Sequence, residues 1–404
     1  MATTAELSDR TILTGDRPAE RERLERLIEE HGSPLLVFDP SVLQRQYETL
    51  VDALPGVDLY YAVKAHPNAH IVRTLDELGA GFDVASSGEM DLLLELRISG
   101  RRTIHTHPVK KDREIRDALR FGATTFVVDN LEELRKLAPY RKRVGVLLRV
   151  SFRAPSARID LSRKFGCTPY EVSSIVRAAS ELGVHIRGLS FHVGSQVPDA
   201  DKHVEAIYAC AQLMISLNER LSSPLATLDI GGGFPADYRL EGLDLHAFCR
   251  PIRRALRALP SDWHLMAEPG RCLIAPAVRS VTTITGRSSR AGHRWYFVDD
   301  GAYGSYSGQV FDRTVYPLQV FRDGPTAPSM IAGPTCDSID MIAEDIPLPA
   351  LEVGDLLIGH QMGAYTAATK TRFNSLPDAR FVVDRVAVDP DKGALETPSR
   401  ATSA

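Results

Sequence analysis

Short apolar, β-branched runs that end on polar residues or glycine recur along the chain, and longer stretches with helical spacing of their apolar positions lie among them. The runs are LYYAVK (59–64), GFDVA (81–85), TIHTH (103–107), TFVVD (125–129), VGVLLRV (144–150), IRGLSFHV (186–193), TLDIGG (227–232) and WHLMAEP (263–269), eight in all. HIVRTLDELG, GEMDLLLELR, REIRDALRFG, LEELRKLA and VSSIVRAASELG are the helical stretches. Eight strand–helix units in succession predict a (β/α)8 barrel, while an open doubly wound sheet fits the same alternation.

After residue 275 the rhythm changes. VRSVTTITG, WYFVDDG, PLQVF, SMIAG and LLIGHQ are strand-like runs separated by Gly, Pro and Asp with little helix, which predicts a mostly antiparallel β domain. The expected organisation starts with a leader, a charged helix and a strand over 1–41, the strand (PLLVFD, 34–39) joining the β domain. A barrel over 42–275, the β domain over 276–388 and a polar, disordered tail over 389–404 follow.

Composition narrows the partner more than the fold. With 404 residues, 44% hydrophobic and 25% charged, the chain has room for one large and one smaller core of ordinary globular type. A formal charge of -4 offers little to nucleic acid or an anionic membrane, so a small molecule is the expected partner. Residues 16–30, DRPAERERLERLIEE, lack the apolar stretch of a signal peptide, and no later run is long enough to span a bilayer. Five scattered cysteines without a CxxC pair suggest neither a metal site nor a disulfide framework, and a reduced cytoplasm fits them.

In a barrel, chemistry gathers at the C-terminal ends of the strands. Here those ends carry Lys64, Asp83, His105, His107, Arg149, His192, the triple glycine 231–233 and Glu268. Taken singly, each has a plain structural reading: a solvated lysine, a flexible turn, a salt-bridged glutamate, a core histidine. Position strengthens the functional one. Gly231, Gly232 and Gly233 follow the seventh strand and AEPGR (267–271) the eighth, the two loops that often hold phosphate in such barrels. Three glycines let N–H groups approach an anion, and a helix starting after them is expected to add its dipole. Lys64 suits a Schiff-base amine, and Glu268 suits a partner for a protonated pyridine nitrogen. In the β domain, Cys336 beside Asp337 in GPTCDSID is a candidate exposed proton donor, and HQMGAYTAATKTRFN (360–374) suits a loop near a ligand.

The ordered set YAVKAHPN, FDVAS, LSRKFG, FHVGSQ, LDIGGGFP, AEPGR, DDGAYGS, GPTCDSID and MGAYT…FN resembles the fold-type III pyridoxal phosphate (PLP) decarboxylases, the ornithine/diaminopimelate/arginine decarboxylase family. The resemblance spans nearly the whole chain and implies an alanine racemase-like architecture with PLP carried on Lys64 as a Schiff base. It implies that Glu268 faces the pyridine nitrogen and that His192 stacks on the ring. Ser195, Gly233, Arg271 and Tyr365 would bind the phosphate, with Gly231, Gly232 and Gly270 in the same loops. Asp83 and Arg149 would position the lysine and its neighbours. The family's head-to-tail homodimer with two shared active sites would bring in Cys336 and Asp337 from the other subunit, Cys336 to protonate Cα.

Substrate choice rests on fewer residues. By the resemblance, Asp312 and Asp337 would accept the distal ammonium of a basic amino acid, with Tyr365 and Phe373 lining the same pocket. CDSID and LSRKFG are closer to the ornithine and lysine/ornithine type, whereas GFDVASSGEM leans toward the diaminopimelate branch and FDR replaces the more usual YDH. The implied reaction is L-ornithine to putrescine, with L-lysine to cadaverine second and meso-diaminopimelate or a specialised diamino acid as the alternative. A racemase of similar architecture would set an arginine against the pyridine nitrogen, where this chain has Glu268. A non-catalytic homologue would commonly lack the lysine or the phosphate ligands, all of which are retained here.

Overall fold

The computed structural model describes residues 10–152 and 163–384. The first nine residues, Leu161 and Ser162 of the LSRKFG motif, and the tail expected from residue 389 lie outside the described residues. The chain forms two compact units, Gln44–Ala236 with Leu243–Ile274, and the described parts of Met1–Leu43, Asp237–Gly242 and Ala275–Ala404.

The chain begins in the second unit with β1 (Ile12–Leu13), a helix (Pro18–His31) and β2 (Leu35–Phe38). It then builds a closed, all-parallel barrel. The barrel strands are β3 (Val57–Ala62), β4 (Gly81–Val84), β5 (Thr103–His105), β6 (Thr125–Val128), β7 (Gly145–Val150), β8 (Ile186–Phe191), β9 (Thr227–Asp229) and β10 (His264–Ala267), with β10 pairing back to β3. The open-sheet alternative is therefore excluded. Each of the eight expected runs yields a strand, but most strands stop one to three residues early, so Lys64, His107, His192, the triple glycine and Glu268 sit just past the ladder while Asp83, His105 and Arg149 lie within it.

Local signals explain the helices between strands. Asn68, Ser86, Asn130 and Asp244 each accept a backbone N–H at a helix N-terminus, and Gly122 and Gly183 end helices in the left-handed conformation. Inside the barrel Ile104, Val127, Leu147 and Met266 pack as one buried cluster against Tyr60. Gly188 on β8 is required by contact: a Cβ there would lie 1.8 Å from the Thr227 carbonyl oxygen.

The chain then returns to the second unit through β11 (Val278–Arg290), β12 (His293–Val298), β13 (Leu318–Val320), β14 (Ala327–Ala332), β15 (Met341–Leu348), β16 (Leu356–Gly359) and β17 (Arg380–Val383). Five of the eight strand pairings in this unit are antiparallel and three are parallel. β2 lies between β11 and β17, so the PLLVFD segment is a sheet strand of this unit. Leu24 of the first helix packs with Leu35, Val37, Val281, Phe321, Leu356, Ile358 and Val382 to form a core. Residues 237–242 interrupt the barrel sequence and join this unit, where Thr11 Oγ1 donates to the Arg239 carbonyl at 2.8 Å.

Two outcomes are expected from this packing. Gly188→Ala should lower the urea-unfolding stability by about 1–3 kcal/mol or more, because backbone cannot yield as a side chain does; an unchanged midpoint would contradict the close approach. Burial pushes His105 down to about 3 and His203 and His360 to about 4. Unfolded histidine titrates near 6.5, so below that pH the unfolded chain binds more protons and stability is lost as pH falls toward 4. His105→Phe should therefore shrink the drop in unfolding midpoint between about pH 7 and pH 5. An equal drop in both proteins would refute this.

Candidate active site

The turn after β3 supplies the lysine. Lys64 lies in a 3-10 turn, Val63–Ala65, and its Nζ stands 3.0 Å from Oδ2 of Asp83. Asp83 is 1% exposed on β4, and its other oxygen accepts a 2.5 Å bond from Thr106 Oγ1. The pair thus joins a fully buried carboxylate to an amine whose side chain keeps 39% exposure. Nearby, Glu89 accepts the Ala85 N–H at 2.6 Å, and burial raises its pKa.

Across the mouth, Asp229 ends β9 and Glu268 follows β10, with Met266 in register with Asp229. Asp229 is fully buried, Glu268 is 8% exposed, and each carboxyl group acts on the ionisation of the other, while Asp229 Oδ1 accepts the Gly231 N–H at 2.9 Å. Burial pushes Glu268 well above the usual carboxylate range, and the charges of Asp229 and Asp83 push it further; burial raises Asp229 as well. Arg149, lowered by its own burial, adds a compensating positive charge felt by Glu268, Asp83 and Asp229.

Three loops meet beside this pair. The Ser195 hydroxyl accepts two bonds from the Arg271 guanidinium, at 3.3 Å from Nε and 2.9 Å from Nη2. Gly233 has φ 99°, a Cβ there would lie 2.5 Å from the Gly194 oxygen, and Val197 N–H donates to the Gly233 carbonyl at 3.2 Å. Among the described residues, the N–H groups of Gly232 and Gly233 meet no acceptor. Gly270 packs against Ala62 and Ala65, and Ala62 N–H donates to the Pro269 carbonyl at 3.1 Å, fixing the arginine loop against the lysine turn. His192 Nδ1 accepts the Gly194 N–H at 3.1 Å, and burial holds the ring neutral.

One expectation is corrected. No helix starts after the triple glycine; the next begins at Leu245, so no helix dipole adds to this loop. Phe-Pro-Ala and the 237–242 excursion occupy the intervening chain. The anion-binding capacity comes instead from free backbone N–H groups, the Ser195 hydroxyl and the Arg271 guanidinium.

The β unit holds the remaining residues. Cys336 is exposed, and its N–H donates to Asn374 Oδ1 at 3.1 Å. Asp337 accepts a 2.5 Å bond from the Tyr303 hydroxyl, which holds its carboxyl below the usual range, and Tyr303 stacks on Phe373 at 4.6 Å. Asp312 is buried and accepts the Thr314 hydroxyl at 2.8 Å. Tyr365 has φ 55°, and its carbonyl accepts the Thr369 hydroxyl at 2.9 Å. Buried Asp340 accepts Ala302 N–H, Thr335 N–H and the Thr335 hydroxyl, tying the cysteine turn to the DDGAYGS loop.

Asp229, Glu89, Tyr303 and Asp340 were not singled out from sequence. Three of them lie inside motifs already noted, LDIGGGFP, DDGAYGS and GPTCDSID, and Glu89 lies in GFDVASSGEM, so adjacency to those motifs was the available signal.

The donor set fits PLP: an anion cradle with unsatisfied N–H groups, an amine, and a buried carboxyl for a ring nitrogen. Comparison with known proteins agrees. Residues 41–275 match the family model described as "Pyridoxal-dependent decarboxylase, pyridoxal binding domain". A lysine/ornithine decarboxylase of Selenomonas ruminantium is 36% identical over 359 residues, 89% of this chain and 91% of that protein. Antizyme inhibitor 2 of Xenopus laevis is 32% identical, covering 88% of this chain and 82% of its own length. The solved structure of lysine/ornithine decarboxylase from Vibrio vulnificus, complexed with cadaverine, aligns with a TM-score of 0.88 and 46% identity over 92% of this chain and all of that one (100%). The chain belongs to the PLP-dependent decarboxylases of fold type III, and PLP is its cofactor.

The carboxyl pair generates a direct test. Asp229→Asn removes the repelling charge, so Glu268 should titrate at lower pH in the cofactor-free protein. Carbon-13 NMR of labelled glutamate reads this; an unmoved titration would show that the pair is not coupled.

Proposed function

We propose that this enzyme decarboxylates a basic L-amino acid, L-ornithine to putrescine first and L-lysine to cadaverine second. The observation that carries the reaction class is the conjunction of the Lys64–Asp83 ion pair with the buried Glu268 and Asp229 carboxyl groups across the barrel mouth. Bound PLP supplies an electron sink for the pair of electrons left on Cα when CO2 departs.

The chain's own residues do the rest. Asp83 holds the Lys64 ammonium in place, and Lys64 would hold the cofactor. Glu268 would face the pyridine nitrogen and hold a proton there, and His192, kept neutral by burial, would stack on the ring. Ser195, Gly233, Arg271 and Tyr365 would hold the phosphate, with Gly231, Gly232 and Gly270 giving the loops their close approach. Arg149 balances the charge of the buried carboxyls. The Cys336 thiol delivers a proton to Cα.

Asp337, kept ionised by Tyr303, and Asp312 receive the distal ammonium, and Phe373 stacked on Tyr303 gives the methylene chain an apolar wall. The Vibrio relative's complex with cadaverine supports a diamine-sized pocket. The working form in this reading is a homodimer in which Cys336 and Asp337 serve the other subunit's lysine. A reducing cytoplasm suits the five cysteines, which are all free; among the described residues no helix is long and apolar enough to cross a membrane.

CO2 release across ornithine, lysine, arginine, meso-diaminopimelate and 2,4-diaminobutyrate tests the reading. The highest kcat/KM is expected on ornithine, with lysine next; release only from meso-diaminopimelate, or racemisation without CO2, would overturn it. Asp337→Asn should lower kcat/KM for ornithine by about 10–100-fold, the worth of one hydrogen bond to a charge, and an unchanged value would remove Asp337 from the pocket. Mixing Lys64→Ala with Cys336→Ala subunits should restore part of the activity if sites are shared, and no recovery in proven mixed dimers would refute sharing.

A further inference from the structure

His203 lies on the helix Asp201–Asn218, outside every motif used so far, and is fully buried. Its Nε2 stands 3.0 Å from the carbonyl oxygen of Gly232. A carbonyl only accepts, so Nε2 carries the hydrogen and Nδ1 is bare, in keeping with the lack of any partner at Nδ1 among the described residues. The ring is clamped between Phe234, stacked at 5.2 Å, and Phe248, edge-on at 6.1 Å. A site that needed only bulk between two phenylalanines would be filled at lower cost by a third apolar side chain. A buried imidazole with one bare nitrogen is costly unless its other nitrogen does something specific.

What it holds is a peptide plane. The peptide between Gly232 and Gly233 is planar and trans, so its C=O and N–H point in opposite directions. Fixing the Gly232 carbonyl toward His203 turns the Gly233 N–H away from the helix, and that N–H meets no acceptor among the described residues. Three consecutive glycines would otherwise leave this peptide among the freest in the chain. We propose that His203 is a positioning residue for the cofactor phosphate, presetting the Gly233 N–H through its bond to the Gly232 carbonyl. The inference rests on the reading that the 231–233 loop holds that phosphate. Burial depresses the ring to about 4, so it stays neutral, with Nε2 as donor, at working pH.

The test compares PLP with pyridoxal, which lacks the phosphate, by equilibrium dialysis against full-length protein stripped of cofactor. His203→Phe keeps an aromatic ring between Phe234 and Phe248 but loses the donor. It should weaken PLP binding by about three- to tenfold, the worth of one hydrogen bond, and leave pyridoxal binding unchanged. His203→Gln, whose amide reaches as far as Nε2, should restore most of the loss. Unchanged PLP affinity in His203→Phe overturns the proposal, as does equal weakening of both ligands, which would mark a merely structural role. If His203→Phe fails to fold, His203→Leu takes its place with the same criteria. Failure of the parent protein to bind PLP would instead refute the phosphate reading itself.

Discussion

Three carboxyl groups, Asp83, Asp229 and Glu268, are withdrawn from water at one end of the barrel, where Lys64 and Arg149 are the cations that answer them. Burying that many negative charges is untenable unless each is paired or protonated. Asp83 is paired with Lys64, and burial beside Asp229 pushes Glu268 well up, toward its neutral form. The residual strain is useful chemistry. A lysine held by a buried partner and a buried carboxyl with a raised pKa are the two groups that suit a pyridine-based electron sink.

The rest of the barrel serves to hold those groups in register. β9 and β10 align Asp229 with Met266, which places Glu268 two residues past the pairing, and the Glu268 N–H closes on the Gly231 carbonyl at 2.8 Å. Glycine at 188, 231, 232 and 233 lets these chains approach where a Cβ would collide with backbone. The β unit applies the same logic with Asp340, one buried carboxylate collecting three donors so that Cys336 and Asp337 sit on a defined turn.

Much of this was legible in the sequence because barrels concentrate chemistry at strand ends, and strand ends are visible as the point where apolar runs meet polar residues. Lys64, Asp83 and Glu268 were found that way. Asp229 was not, because in a three-residue strand the sequence does not say which face is inward. Tyr303 and Asp340 depend on tertiary pairing of two distant loops, which no local pattern encodes. The helix expected after the triple glycine failed because Pro235 and the 237–242 excursion take the chain elsewhere before Leu245. Lys64 falls in a 3-10 turn past the strand because the following His66, which precedes a proline, is held extended at φ -161°.

The central claim is that this mouth binds PLP through Lys64 and no other amine. Borohydride reduction of the PLP-loaded protein followed by peptide mass mapping tests it most directly. The account predicts a single pyridoxyl adduct on the peptide carrying Lys64; an adduct on Lys110, Lys164 or any other lysine in place of Lys64, or none at all, would contradict it.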